Sequence, residues 1–188
     1  MKFVKLEKVK DGKYLKNYEL TYINKAGREK TYEIVSRKEL KVVEDIGRQP
    51  SGVSIIVTRG DKMLLLHEFR MGVNKKIYNL CAGMLEENET IEQCIERELW
   101  EETGLKIKEI KQILPPSYSA VAISDTKTYI AFVEAEEEST AAENQLSDNE
   151  DIEASFYTKE EVLQLLQTQE FSSRAQLAAF YFACGEEI

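Results

Sequence analysis

Residues 83–105 read GMLEENETIEQCIERELWEETGL. A tight turn at Gly83 leads into the stretch, Thr90 and Gln93 have capping-box spacing, and Gly104 suits the left-handed position past a helix end. The spacing therefore predicts a helix over 90–103. At roughly 100° per residue, Ile91, Cys94, Ile95, Glu98, Glu101 and Glu102 share one stripe, which turns from apolar to acidic along its length. Carboxylates that continue a core-facing stripe need positive partners, because an isolated charge stripped of water costs many kcal/mol. One solution is basic side chains, with Arg97 pairing to Glu101 at helical spacing and the other acids turned to solvent. The other is a hard divalent cation: Mg²⁺ takes one or two carboxylates together with substrate phosphates and keeps several waters. Ions shared between Glu98 and Glu102 would neutralise a diphosphate and lower the pKa of an attacking water.

Outward from the helix, period-two alternation dominates. Residues 16–23 and 29–35 alternate around Asn24-Lys-Ala-Gly27, a hairpin signal. With Phe3–Val9 they predict a small antiparallel sheet over residues 1–45, ahead of a main domain over 46–188. Gly52–Thr58 and Lys62–Glu68 form a second strand-turn-strand unit about Arg59-Gly60-Asp61. Lys106–Leu114, Thr126–Glu134 and Ile152–Tyr157 read as strands, and 135–150 as a long acidic loop. A second capping box, Thr158 with Glu161, opens one closing helix. The other is expected over Ser172–Cys184 with an apolar face of Leu177, Phe180 and Tyr181. This mixed order predicts an α/β or α+β domain.

Composition narrows the function. Hydrophobic residues make up 43% of the 188-residue chain and Pro and Gly number only 3 and 9, so a globular fold with its own core is expected. A net charge of −9 argues against a general nucleic-acid or membrane-surface binder, which would carry a basic face. Cys81, Cys94 and Cys184 outline neither a disulfide framework nor a zinc site, and no stretch reaches signal-peptide or membrane-spanning character, so a reducing cytoplasm is the expected home. His67 is the only histidine and no Gly-x-Ser-x-Gly elbow is present, which leaves serine-hydrolase chemistry without its parts. Trp100 falls off the carboxylate stripe and is expected to pack.

Gly83, then Glu89, Arg97-Glu98-Leu99, Glu101-Glu102 and Gly104-Leu105 fill every specified position of the Nudix box at the right spacing. The chain thus resembles the Nudix hydrolases over nearly its whole length, and within them the ADP-ribose pyrophosphatase subgroup. Three features outside the box carry that likeness: the N-terminal extension ending in Tyr32–Arg37, the strand end His67-Glu-Phe-Arg70, and the acidic segment Leu146–Ile152. The resemblance implies an α/β/α sandwich with a mixed sheet and a small N-terminal antiparallel β extension. It also implies Mg²⁺ dependence, with Mn²⁺ as a substitute, and hydrolysis of a nucleoside diphosphate joined to another group, ADP-ribose first.

Position by position, the resemblance implies metal binding by Glu98, Glu101, Glu102, Glu150 and the Ala82 carbonyl, with Asp148 or Glu150 as the base that takes a proton from water. Arg70, Arg37 and Met84 would meet the substrate, Arg70 through its phosphate. Gly83, Glu89, Arg97 and Gly104 would shape the box. The extension would help clasp the nucleobase in a homodimer, where Tyr18, Tyr22 and Tyr32 are otherwise ordinary strand residues. Where relatives preferring ADP-ribose often carry a proline, residues 119–126 read SAVAISDT. GDP-mannose or another nucleotide sugar is therefore the alternative substrate, and a nucleotide sensor that does not cleave is the alternative of another class.

Overall fold

The computed structural model describes residues 1–136 and 151–185, which fall into two compact units. The first comprises Met1–Ser51 and Pro116–Thr128, so residues 46–51 and 116–128 group with the N-terminal sheet. Its strands β1 (Lys2–Asp11), β2 (Lys16–Ile23) and β3 (Glu29–Ser36) form an antiparallel sheet in that order. The β2–β3 turn follows from Asn24 and Gly27. The Asn24 side-chain oxygen accepts the Ala26 and Arg28 N–H groups, and Gly27 takes φ +74°, a conformation other residues resist. Alternate residues Tyr18, Leu20 and Ile34 join Leu40 in a small core. The Tyr18 hydroxyl inside it accepts the Leu40 N–H at 2.9 Å.

The second unit is Gly52–Pro115 with Tyr129–Ile188. Its elements are β4 (Gly52–Arg59), β5 (Lys62–Arg70), β6 (Lys75–Asn79), β7 (Cys81–Met84), α1 (Ile91–Thr103), most of β8 (Ile107–Tyr118) and β9 (Lys127–Ala135), β10 (Ile152–Tyr157), α2 (Lys159–Thr168) and α3 (Ser173–Cys184); Pro116–Tyr118 of β8 and Lys127–Thr128 of β9 fall in the first unit. The mixed sheet runs β10-β5-β4-β9-β8, with β6 added to β5 and β7 to β4. Period two sorts the strands' side chains between two cores. Val53, Ile55, Val57, Leu64 and Leu66 face α1, whereas Ile56, Met63 and Leu65 face α2 and α3. This is an α/β/α sandwich whose central strands, buried on both faces, read as unbroken apolar runs.

Three local expectations change. Gly83 is no tight turn: it lies in β7, where Gly52–Ile55 of β4 pair with Met84–Cys81. The β4–β5 hairpin opens beyond Thr58 and Met63 and admits β6 and β7, which short, mixed sequences did not announce. The buried face of α3 is Ala175, Ala178, Ala179 and Phe182, while Leu177, Phe180 and Tyr181 are 70%, 56% and 54% exposed. Small alanines let the helix approach the sheet closely, and that contact wins over the larger apolar stripe.

Candidate active site

Helix α1 is set by its ends. Thr90 accepts the Gln93 N–H while the Gln93 side chain accepts the Thr90 N–H, and Gly104 closes the helix at φ +69°. Its buried positions are Cys94, Ile95, Leu99 and Thr103, so the core stripe is rotated from the one anticipated. Glu98 and Glu102 consequently border the core and lean on β7. Trp100 sits off this edge and is 36% exposed.

Arg97 braces the segment between β7 and α1. Its Nε meets Glu89 Oε1 at 2.7 Å and its Nη2 donates to Glu89 Oε2 and to the Met84 carbonyl, both at 2.9 Å. Its Nη1 reaches Glu98 Oε1 at 2.8 Å and Glu101 Oε2 at 3.1 Å. The Arg97 hydrogen bonds hold the Glu89 carboxyl down at about 2. The pairing of Arg97 with Glu101 is thus real, and it coexists with a carboxylate that no basic side chain among the described residues satisfies.

That carboxylate is Glu102. It accepts the Ala82 N–H at 3.2 Å and neighbours the Cys81 thiol. Burial pushes its pKa up to about 8, against the pull of those hydrogen bonds, and the charges of Glu98 and Glu68 add to the rise. Burial also raises Glu98, outweighing its contact with Arg97. Gly83 faces Glu98 so closely that a Cβ would fall on the carboxylate.

These groups line a cleft of about 580 Å³ that holds Arg70, Ala82, Gly83, Met84, Glu98, Glu101 and Glu102 together. Glu89, Arg97 and Gly104 stand outside its lining. Arg37 follows β3 in the other unit. Asp148 and Glu150 lie outside the described residues, although the adjoining Asp151 lines the cleft and its carbonyl accepts the Phe69 N–H at 2.9 Å. Sequence reasoning missed Glu68, a cleft residue only 5% exposed. Its signal was a carboxylate separated only by His67 from the apolar run Met63–Leu66 of a doubly buried strand.

Among the described residues no three His, Cys, Asp or Glu side chains close around one point. The donors are nevertheless all oxygens, they are acidic, and among the described residues Glu102 has no basic partner. Such an open set fits a hard divalent cation completed by water and phosphate oxygens, and it suits neither zinc nor copper.

A model of the NUDIX domain matches residues 48–180. An ADP-ribose pyrophosphatase of Bacillus subtilis (strain 168) is 29% identical over 147 residues, covering 77% of this chain and 78% of that protein. A NAD-capped RNA hydrolase, NudC, of Chromobacterium violaceum is 36% identical over 66 residues, but only 34% of this chain and 23% of that protein are covered. The crystal structure of an ADP compounds hydrolase superposes with a TM-score of 0.72 over 96% of this chain and 90% of its own, at 17% identity, which is a likeness of fold. With the domain matched over more than half of its length and the acidic helix set against a bare glycine strand, this chain belongs to the Nudix family of hydrolases.

Proposed function

We propose that the protein hydrolyses the diphosphate linkage of ADP-ribose to AMP and ribose 5-phosphate, with Mg²⁺ held by Glu98, Glu101, Glu102 and the Ala82 carbonyl. Mn²⁺ suits the same oxygen donors. The observation that carries this reading is Glu102, an enclosed carboxylate without a basic partner among the described residues, in a cleft shared with Arg70. The B. subtilis relative, matched over most of both chains, supports the substrate. A bound divalent cation supplies charge neutralisation at the diphosphate and a more acidic water.

The remaining work falls to the chain. Arg70, with its side chain 56% exposed, donates to a phosphate oxygen and Met84 flanks the substrate. Arg97 and Glu89 keep β7 and α1 at a fixed spacing, so the carboxylates do not shift as substrate binds. Asp148 or Glu150 takes the proton from the attacking water. Residues 1–45 act as a clasp carrying Arg37 and as the contact of a homodimer. In support, β1 offers an unpaired edge with Val4 and Val9 exposed. No helix among the described residues is long and apolar enough to cross a membrane. Three free cysteines support a cytoplasmic setting.

The absence of proline from residues 119–126 favours a second reading, in which the same chemistry is applied to GDP-mannose or another nucleotide sugar. A panel of ADP-ribose, NAD and GDP-mannose with Mg²⁺, followed by product analysis, decides. AMP from ADP-ribose with the highest kcat/KM is the expected result. Preferential cleavage of GDP-mannose would replace the substrate. Tight binding without turnover of any compound would make the protein a sensor.

A further inference from the structure

Glu68, on β5, has its carboxylate nearly sealed from water, yet no residue of the family motif accounts for it. Its two oxygens are divided between two donors. Asn79 Nδ2 reaches Oε1 at 2.5 Å and Arg70 Nη1 reaches Oε2 at 3.2 Å. Asn79 ends the neighbouring strand β6, in register with Leu66. The orientation of its amide is fixed from the far side, since the Ser172 hydroxyl donates to Asn79 Oδ1 at 2.6 Å. With its oxygen engaged there, Asn79 has only its NH₂ to offer Glu68.

Ser172 is itself anchored. Its N–H donates to the Tyr78 carbonyl at 3.0 Å and its hydroxyl oxygen caps α3 by accepting the Ala175 N–H at 3.3 Å. A chain of hydrogen bonds therefore runs from the α3 N-terminus through Ser172, Asn79 and Glu68 to Arg70. Only its last member is exposed: the Glu68 side chain is 7% accessible and that of Arg70 56%.

We propose that Glu68, Asn79 and Ser172 are positioning residues that hold the Arg70 guanidinium at the cleft, oriented for the diphosphate of a nucleoside diphosphate substrate. This rests on the reading of the cleft given above, specifically on Arg70 as the phosphate contact. An ion pair with one exposed partner adds little to stability. A long, otherwise free side chain gains most from such a tether in reduced rotamer freedom, which reappears as substrate affinity. A purely structural role, tying α3 to the sheet, would leave the kinetics of a folded variant unchanged.

The test is a double-mutant cycle on the substrate that the panel selects. Glu68→Gln retains an acceptor for Asn79 and turns an amide NH₂ toward the guanidinium, donor against donor. The expected result is a rise in KM of about tenfold with kcat within about twofold, the size of one charge-assisted hydrogen bond and the pattern of lost uniform binding. In an Arg70→Ala background, the same change is expected to alter KM by less than about twofold. Equal effects in both backgrounds overturn the relay while leaving Arg70 in place. An Arg70→Ala protein with unaltered KM and kcat overturns the phosphate contact and the relay together.

Ser172→Asp supplies a second route should the Glu68 variant fold poorly. It keeps a good helix cap but removes the hydroxyl donor to Asn79. A several-fold rise in KM at unchanged melting temperature supports the relay, and unchanged KM overturns it.

Discussion

The Glu98 carboxylate lies in the space that a side chain at position 83 would need, so β7 and α1 meet through a bare Cα on one side and a metal-ligand candidate on the other. Close approach, rather than conformational freedom, explains glycine here, since Gly83 sits in ordinary extended backbone. Gly83→Ala is expected to push Glu98 off its position against Arg97. Its turnover should fall about 100-fold, with about 1–3 kcal/mol of stability lost to overpacking. Steady-state kinetics together with urea denaturation check this, and near-normal turnover would show that Glu98 can move without consequence.

Glu102 presents the opposite balance, a group that the fold holds at a cost. Its carboxylate is enclosed and meets an amide N–H and a thiol where a base would be needed for compensation. Glu102→Gln keeps the volume and removes the charge that the group takes on when a cation binds. The expected outcome is a loss of turnover of about 100-fold or more, as for removal of a group acting in the transition state. In the presence of a chelator, the melting temperature should equal or exceed that of the natural protein. A lower melting temperature in chelator would mean that the charge is compensated by something other than a bound cation.

How much of this was legible in the chain depends on which force set each feature. The capping pairs Thr90–Gln93 and Thr158–Glu161 are local hydrogen-bond chemistry, and both helices begin where those residues dictate. The hairpin at Asn24–Gly27 is equally local. Strand β6 was hidden although it pairs with the preceding β5, because its residues Lys75–Asn79 carry no alternation, and β7 because it is short and its partner β4 lies far back in sequence. The acidic helix announced a charged site, but Glu68 and its link to Asn79 and Ser172 are a tertiary arrangement, with a separation of 93 residues between Asn79 and Ser172 alone, for which spacing gives no rule.

The inverted face of α3 yields a contrast between two of its positions. Leu177 is large and apolar yet 70% exposed, whereas Ala179 is fully buried against the sheet. Leu177→Glu is therefore expected to change stability by no more than about 0.5 kcal/mol, while Ala179→Leu costs about 1–3 kcal/mol or more by forcing helix and sheet apart. Urea midpoints of the two variants test the assignment. The reverse ranking would place the leucine stripe in the core.

Glu134 supplies a pH signature remote from the cleft. Its two carboxylate oxygens are each 2.8 Å from an ammonium group, Lys108 for one and Lys111 for the other, and these hydrogen bonds lower its pKa from 4.5 to about 2. Because the folded state releases this proton more readily than the unfolded one, the group contributes stability that is fully present above about pH 4.5 and is lost as the pH falls toward 2. Other carboxylates titrate in the same window, so the useful quantity is the difference between the natural protein and Glu134→Gln. That difference in urea midpoint should be constant above pH 5, shrink through pH 4 and 3, and be reduced at every pH by added salt, because the pair is near the surface. A difference that stayed constant down to pH 2.5 would show that the lysines act on something other than the ionised carboxylate.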